Sequence, residues 1–336
     1  VWGFCCSRKR VYISMCTMMM SMIIIIVGIF ILEDKSIALI WIAYLFGGIS
    51  IGSFESNLIT SVTPLGDDTK FWAIVGMPLG FSTVFIGGFM LSAIGVAPIC
   101  IYVGIFVSLF IGIIIFRFMI PDTMINNNCA TIADFIFQVK MFKNWLPRVI
   151  LNSVSLAVDM FAVSLFTGLM LYVYDGEYVQ IFPHHNALIK KDWYFVLFNT
   201  CSMIGDTTGR KLAYIIGNKT LFFGRYPVVL LCLSIFGVGF CSIKYGFFGF
   251  VGILLIMLGN GVIYGSTTKH IDTCVNTKYN LIALSFWLFI GDIGSVIGSN
   301  VIEPIKLTMC EHSTMYTCIA HWIRTVTPTN SFIFDL

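Results

Sequence analysis

Several carboxylic acids lie inside long apolar stretches of the sequence, where acidic side chains are rare. Asp159 falls in the middle of LNSVSLAVDMFAVSLF, Asp292 in LFIGDIGSVIGSN and Glu55 in GSFESNLIT. An ionised side chain costs about 2.5–3.5 kcal/mol at the centre of a membrane helix, so each needs a partner or a hydrated cavity. Pairing with an arginine explains any one of them. Together they favour a hydrated polar pathway, in which a desolvated carboxyl such as Asp159 can bind a proton.

A fourth acidic residue, Asp206, ends an apolar run and begins the densest polar segment of the chain. This segment reads Asp206-Thr207-Thr208-Gly209-Arg210-Lys211. A carboxylate accepts hydrogen bonds from hydroxyl groups, and a guanidinium donates to oxygens and can hold the carboxylate in a salt bridge. The pair is therefore a candidate for a gate that locks one end of the protein or for a solute-binding site.

Amide side chains accompany the carboxylic acids on the predicted membrane segments. Each alone is explained by a hydrogen bond between packed helices. With nearby aromatic residues they could instead line a site for a polar, ring-bearing solute. The amide candidates are Asn57, Asn199, Asn260 and Asn300.

The residue patterns of enzymes and metal proteins are missing from the sequence. The 11 cysteines form no CxxC pair, and His184 and His185 have no third ligand at metal-like spacing. No phosphate loop, nucleophile elbow, HExxH or Rossmann glycine run occurs. We therefore expect no catalytic residues, no metal and no cofactor, and the small net charge of +3 gives no indication of nucleic-acid binding.

Composition sets the class of fold. Hydrophobic residues make up 58% of the 336 residues and charged residues only 11%, with a mean hydropathy of +0.91. Apolar runs of about 20 residues recur, each long enough to cross a bilayer as a helix. We predict an all-α, polytopic transmembrane bundle with about nine spans. They are 11–32, 37–60, 71–94, 98–120, 149–174, 193–209, 226–243, 246–265 and 279–302.

The distribution of basic residues predicts the orientation. Most of the 20 lysines and arginines fall in loops on the side of the N-terminus, which places that end in the cytoplasm and the C-terminal tail outside. The longest loop divides the spans into two bundles, and the start at Val1 favours an N-terminal truncation. The predicted parts are an N-terminal bundle at 1–120, a cytoplasmic loop at 121–148, a C-terminal bundle at 149–302 and an extracytoplasmic tail at 303–336.

Two further patterns concern helix packing. Glycines three or four residues apart predict close helix contacts, in the pairs Gly48/Gly52, Gly76/Gly80, Gly261/Gly265 and the series Gly291, Gly294 and Gly298. In the long loop, apolar residues recur at helical spacing beside Lys140 and Lys143. They are Ile132, Phe135, Ile136, Val139, Phe142 and Trp145. This predicts an amphipathic helix, lying either in the membrane interface or on the bundle.

The D-x-x-G-R form of Asp206 to Arg210 resembles a motif of the equilibrative nucleoside transporter family. Because Gly205 precedes it and Lys211 follows, it is also similar to the loop motif of the major facilitator superfamily. Met203 stands where the nucleoside transporter family usually has asparagine. Leu258-Gly259-Asn260-Gly261 is a weaker likeness to the former family.

The order of the spans favours the nucleoside transporter family. Three predicted spans follow Asp206 and the tail is predicted outside, as in that family, whereas a facilitator would have four and a cytoplasmic C-terminus. On this alignment the nine spans here resemble the family's third to eleventh.

The resemblance implies a major-facilitator-like pair of bundles that moves nucleosides or nucleobases by alternating access. Asp206 and Arg210 would lie near the ribose hydroxyls or form a gate, and Asp159, Asp292 and Glu55 are candidates for proton coupling if transport is not simple facilitated diffusion. The implied partners are a small polar solute and the lipid bilayer of a plasma membrane or endomembrane. The alternatives are a facilitator of another small polar solute and a polytopic protein that does not transport.

Overall fold

The described part of the chain is almost entirely helical. A computed structural model describes residues 7–33, 36–62, 65–119, 132–174, 176–182, 187–216, 226–241 and 245–312. Within these residues the helices are α1 Ser7–Ile24, α2 Ile37–Val62, α3 Asp67–Ala93, α4 Pro98–Met119, α5 Ile132–Lys140, α6 Leu146–Val173, α7 Lys191–Ile216, α8 Tyr226–Cys241, α9 Gly246–Cys274 and α10 Asn280–His312. A π-helical turn, Ile25–Ile31, continues α1, and the strands β1 Tyr178–Gln180 and β2 Leu188–Lys190 form a short antiparallel hairpin before α7.

Seven of these helices are long and apolar enough to cross a membrane, and each coincides with a predicted span. They run over Arg8–Ile31, Ile37–Val62, Asp68–Ala93, Pro98–Phe118, Leu146–Leu171, Gly246–Cys274 and Thr277–Ile305. The predicted all-α fold is therefore confirmed, and the seven long apolar helices are those expected of an integral membrane protein. In hydrocarbon a helix satisfies its own backbone hydrogen bonds, which is why apolar runs fold this way.

The other two predicted spans correspond to α7 and α8. α7 has 26 residues but carries charged residues near both ends. α8 has only 16 residues, about 24 Å at 1.5 Å per residue. The count of nine spans thus stays a prediction.

Burial places α9 at the centre of the molecule and α4 at its edge. In the most apolar window of α9, 56% of residues are buried, against 6% in α4. α9 packs most extensively on α7 and also contacts α8 and α6, while α6 packs along α10. α1 lies between α2 and α4, and α3 packs chiefly on α7. The exposed side chains of α4 are large and apolar, as expected of a lipid-facing surface.

Glycines make the two tightest helix crossings. Gly205 and Gly209 of α7 face the backbone of α9, and Gly261 of α9 faces the backbone of α7. Gly294 and Gly298 of α10 lie against the backbone of α6 in the same way. The predicted pairs Gly48/Gly52 and Gly76/Gly80 are different, because nothing lies within 4 Å of a Cβ added at any of them. No close contact uses these four positions within the described chain.

The two ends of the bundle are built differently. At one end, Val179 and Ile181 of the hairpin segment are buried with Tyr194 of α7. At the opposite end lie the beginnings of α3, α6 and α10 and the last turns of α7 and α9, an end we name the Lys70 end. His184 and His185 lie outside the described residues, as does part of the predicted tail, since the description stops at His312.

A helix is present in the long loop at Ile132–Lys140, followed by a 3-10 turn, Phe142–Asn144. Trp145 is buried, donates from Nε1 to the Gln138 carbonyl at 3.1 Å and meets the Phe286 ring at 5.5 Å. This tryptophan fixes the end of the loop to α10. Gln138 is buried and Lys278 lies over the Phe137 ring, so the loop helix also packs on the bundle, while Ile136, Val139 and Phe142 remain exposed.

Candidate functional site

The centre of the candidate site is a buried ion pair on α7. Asp206 and Arg210 are 3% and 5% exposed. Arg210 donates from Nε to Asp206 Oδ1 at 2.8 Å and from an Nη to Oδ2 at 3.1 Å. Both carboxylate oxygens and two donors of the guanidinium are thus paired, which is the strongest geometry available to this pair of side chains.

Arg210 also reaches across to α3. Its other Nη donates to the carbonyl of Ile74 at 2.9 Å. In an α-helix that carbonyl would accept from the N–H four residues later, but residue 78 is Pro78, which has none. Pro78 therefore leaves a backbone acceptor at Ile74 for the arginine. The hydrogen bond ties α7 to a helix of the N-terminal half.

An aromatic wall closes one side of the arginine. The guanidinium carbon lies 4.4 Å from the centre of the Tyr264 ring on α9, a cation–π contact. Tyr264 in turn meets the Trp287 ring of α10 edge-on at 4.9 Å. Trp287 is fully buried, and its Nε1 has no hydrogen-bond partner among the described residues. The wall offers apolar ring faces and one unused donor beside a fixed charge.

The site depends on glycine at position 261. A Cβ added to Gly261 would lie 2.8 Å from the Arg210 backbone nitrogen and 2.9 Å from Asp206 Oδ1. Any other residue would push α9 away from the ion pair. The Gly259-Asn260-Gly261 segment, noted in the sequence as a weak likeness, therefore has a packing role next to Asp206.

A second polar cluster joins three helices. Asp159 of α6 accepts from the hydroxyl of Ser234 on α8 at 2.6 Å and from the amide of Asn260 on α9 at 2.6 Å. Asp159 and Ser234 have no exposed surface, and Asn260 is 4% exposed. Within the described residues, Asp159 has no ion pair. The fold thus brings together two residues that were candidates in the sequence, Asp159 and Asn260.

Glu55 of α2 and Asp292 of α10 are the two other predicted carboxyls near the ion pair, and Asp292 acts on Glu55 and Tyr264. Glu55 is partly exposed, and its electrostatic neighbours are Arg210, Asp292 and Asp206. One turn further along α2, Ile59 belongs to the same buried cluster as Tyr264 and Trp287. Asp292 is exposed. Asp206 and Glu55 therefore lie near one guanidinium, although Glu55 makes no hydrogen bond or ion pair with a described residue.

The remaining amides do not reach the ion pair. Asn57 is buried and donates to the Ser53 carbonyl of its own helix at 2.5 Å, and its Oδ1 has no partner in the described part of the chain. Asn199 donates to its own helix at Phe195, 2.8 Å away. It lies seven residues, about 10 Å, before Asp206 along α7. Asn300 is exposed and likewise bonded within its helix.

No protein-family model and no curated protein matches the chain. The geometry above, the motif and the order of the helices are therefore the grounds for any functional assignment. No group of three or more His, Cys, Asp or Glu side chains suited to a metal ion occurs among the residues that the structure describes.

The Lys70 end is held by further contacts between the two halves of the chain. Lys70 of α3 is 3% exposed and forms an ion pair with Asp272 of α9. The Phe71 ring meets the Tyr214 ring of α7 at 4.9 Å. At the same end, within the C-terminal half, Arg148 of α6 donates to the carbonyl of Cys274 of α9. The contacts of Lys70 and Phe71, with the Arg210 bond to Ile74, join the two halves of the chain at this end.

Sequence reasoning missed several of these residues. Ser234 carries no signal, because a serine in an apolar helix commonly bonds to its own backbone. In the sequence, Tyr264 is an ordinary aromatic residue of an apolar span, and Lys70 is a cation in a predicted loop. Pro78 did carry a signal, since a proline inside a predicted span always frees the carbonyl four residues earlier.

Proposed function

We propose that the protein is a membrane carrier that moves a small polar solute, a nucleoside or nucleobase, by alternating access. The observation that carries the proposal is the buried Asp206–Arg210 pair, hydrogen-bonded through Arg210 to Ile74 in the other half of the chain. A buried pair of this kind is weak evidence for stability, because desolvation offsets the attraction. The hydrogen bond from Arg210 to the other half of the chain is better explained as a contact that forms and breaks during transport.

The chemistry of the pair suits a nucleoside. A carboxylate accepts hydrogen bonds from both hydroxyls of a diol, and a guanidinium donates to oxygen in a planar fork. The rings of Tyr264 and Trp287 beside the pair supply apolar faces on which a base could stack. In the closed arrangement Arg210 occupies both oxygens of Asp206, so a ribose would bind by displacing some of these hydrogen bonds.

The proposed architecture has nine spans in two bundles, with the loop 121–148 between them. α1–α4 form the first and α6–α10 the second, and the bundles rock about the centre of the membrane. The contacts at the Lys70 end would close one side of the membrane, the cytoplasmic side if the N-terminal end is cytoplasmic. Membership of the equilibrative nucleoside transporter family is part of this proposal.

The test is uptake of labelled adenosine and inosine by the purified chain in liposomes. We expect saturable uptake by the unchanged chain. Asp206→Asn and Arg210→Lys should each lower it at least about tenfold, because losing one charge-assisted hydrogen bond costs about 1.5–3 kcal/mol and 1.4 kcal/mol is a factor of ten. Asn300→Ala is the control, since this exposed amide bonds only within its own helix.

Two outcomes would count against the proposal. Uptake of neither nucleosides nor nucleobases, with binding of another polar solute, would favour a facilitator of that solute. Normal uptake by both site variants would show that the ion pair is neither a gate nor a binding site.

A further inference from the structure

Asp159 occupies a closed polar cage in the interior of the bundle. Its two oxygens face the Ser234 hydroxyl and the Asn260 amide, both at 2.6 Å, and the Met160 sulfur lies 3.6 Å from the same amide nitrogen. Each side of the cage comes from a different helix. The cage has no exposed surface at Asp159 or Ser234.

The groups that face Asp159 offer no positive charge to an ionised carboxylate. Ser234 from α8 and Asn260 from α9 are neutral. The ionisable group that acts on Asp159 from α7 is Asp206, a second carboxylate. An ionised carboxylate in such a place is costly, and an isolated buried charge in a protein normally becomes neutral or acquires a partner. Here a single proton would remove the cost.

We propose that Asp159 is a proton-binding site formed by Ser234 and Asn260. The bound proton forms an O–H bond at Oδ1, which then donates to Ser234 Oγ. Asn260 continues to donate to Oδ2. The serine hydroxyl turns to the backbone carbonyl four residues earlier, Leu230, as serines in helices commonly do. When the proton leaves, the hydroxyl turns back and donates to Oδ1.

The site is placed to act on the ion pair. Asn260 is followed by Gly261, whose Cα packs against the α7 backbone at Asp206 and Arg210. Protonation weakens the hydrogen bond from Asn260 to Oδ2, because the acceptor loses its charge, and this change acts on the part of α9 that borders the pair. The coupling of the proton to solute movement rests on the proposed transport function, whereas proton binding itself does not.

The direct test is infrared spectroscopy of the purified full chain in lipid nanodiscs at neutral pH. A protonated carboxylic acid has a carbonyl stretching band separate from those of ionised carboxylates and amides. We expect such a band in the unchanged chain, its loss in Asp159→Asn and its shift to higher frequency in Ser234→Ala, which removes a hydrogen bond. Glu303→Gln, at an exposed carboxyl of α10, should leave the band unchanged.

A spectrum without this band, or a band that neither Asp159→Asn nor Ser234→Ala alters, would overturn the proton site. Ser234→Ala decides the question if Asp159→Asn does not fold, because it removes only a hydroxyl. Uptake in liposomes then tests the coupling. The ratio of uptake at acidic and alkaline pH should depart clearly from one in the unchanged chain and fall to about one in Asp159→Asn.

The two proposals fail separately. If the chain transports no solute but the band behaves as expected, the transport function is wrong and the proton site stands. If transport is normal and equally fast at all pH values, with the band absent, the proton site is wrong and the carrier stands.

Discussion

At the scale of single residues, the ion pair on α7 is unusual in how completely it is satisfied. Arg210 uses separate donors for Asp206 Oδ1, Asp206 Oδ2 and the Ile74 carbonyl, and its face covers Tyr264. Burying two charges costs several kcal/mol per ion, and the attraction offsets this only when the geometry is good and the other donors are used. Removing one partner of the pair therefore lowers the free energy of unfolding much more than removing both.

This asymmetry gives a stability prediction. Asp206→Leu should lower the free energy of unfolding by about 3–5 kcal/mol, since it leaves Arg210 buried without its counter-ion. Asp206→Leu with Arg210→Met should be much closer to the unchanged chain. Thermal unfolding of the purified protein in detergent checks the cycle, with Glu303→Gln as a surface control. A double variant as unstable as the sum of its two single variants would show that the charges do not interact.

The sequence allows part of this site to be predicted. The four-residue spacing of Asp206 and Arg210 indicates a pair on one helix face without any knowledge of the fold. The depth of Asp159 follows from its apolar neighbours. The contact of Asp159 with Ser234, 75 positions away, cannot be predicted in this way. Packing across the whole bundle determines which faces of α6, α8 and α9 meet.

At the scale of helices, α3 shows how a local irregularity makes a contact between halves. Pro78 lies inside the helix and removes the donor that would pair with Ile74. The proline ring also pushes that carbonyl outward, away from the helix axis and toward a neighbour. The exposed oxygen is the one that Arg210 uses.

We expect the contribution of Arg210 to stability to depend on Pro78. Pro78→Ala supplies an N–H for the Ile74 carbonyl and turns it back along the helix, so Arg210→Lys should cost less in that background. The difference should be about 0.5–3 kcal/mol, the usual coupling between residues that share a partner. The four-variant unfolding cycle measures it. Pro304→Ala in α10 is the matched control and should not couple to Arg210; equal coupling at both prolines would contradict the explanation.

Glycine spacing shows where the prediction of helix contacts from sequence fails. Gly261/Gly265 and Gly76/Gly80 have the same spacing, yet only the first pair meets another backbone. Spacing determines that two glycines share a face, and it says nothing about which element covers that face. Gly205 and Gly209, which pack on α9, have the same spacing and were not predicted as a packing pair, because they lie within the polar motif.

At the scale of the whole molecule, the polar contacts described between the N-terminal and C-terminal halves lie at the Lys70 end, whereas near the hairpin end Phe89 of α3 stacks on Phe195 of α7. Lys70 and Asp272 are 202 residues apart in sequence and form an ion pair. This pair lies beside the aromatic contact of Phe71 with Tyr214. Arg210 adds its bond to Ile74 one turn deeper along α3. A carrier that works by alternating access must break these contacts to open this end, whereas a protein that does not transport can keep them permanently.

Cross-linking this end separates the two cases. Lys70→Cys and Asp272→Cys are placed together in a chain whose 11 native cysteines have been replaced, and a short bifunctional thiol reagent with a cleavable spacer joins them. If the Lys70 end must open in each cycle, uptake should fall nearly to background and return when the spacer is cleaved. Each single cysteine variant, treated identically, should keep its uptake. Because the reagent fixes the two helices and leaves Asp206, Arg210 and the solute site chemically unchanged, loss of uptake would report movement rather than damage to the site. Full uptake by the cross-linked protein would show that the solute passes without separation of α3 from α9, and the rocking of two bundles would then be wrong.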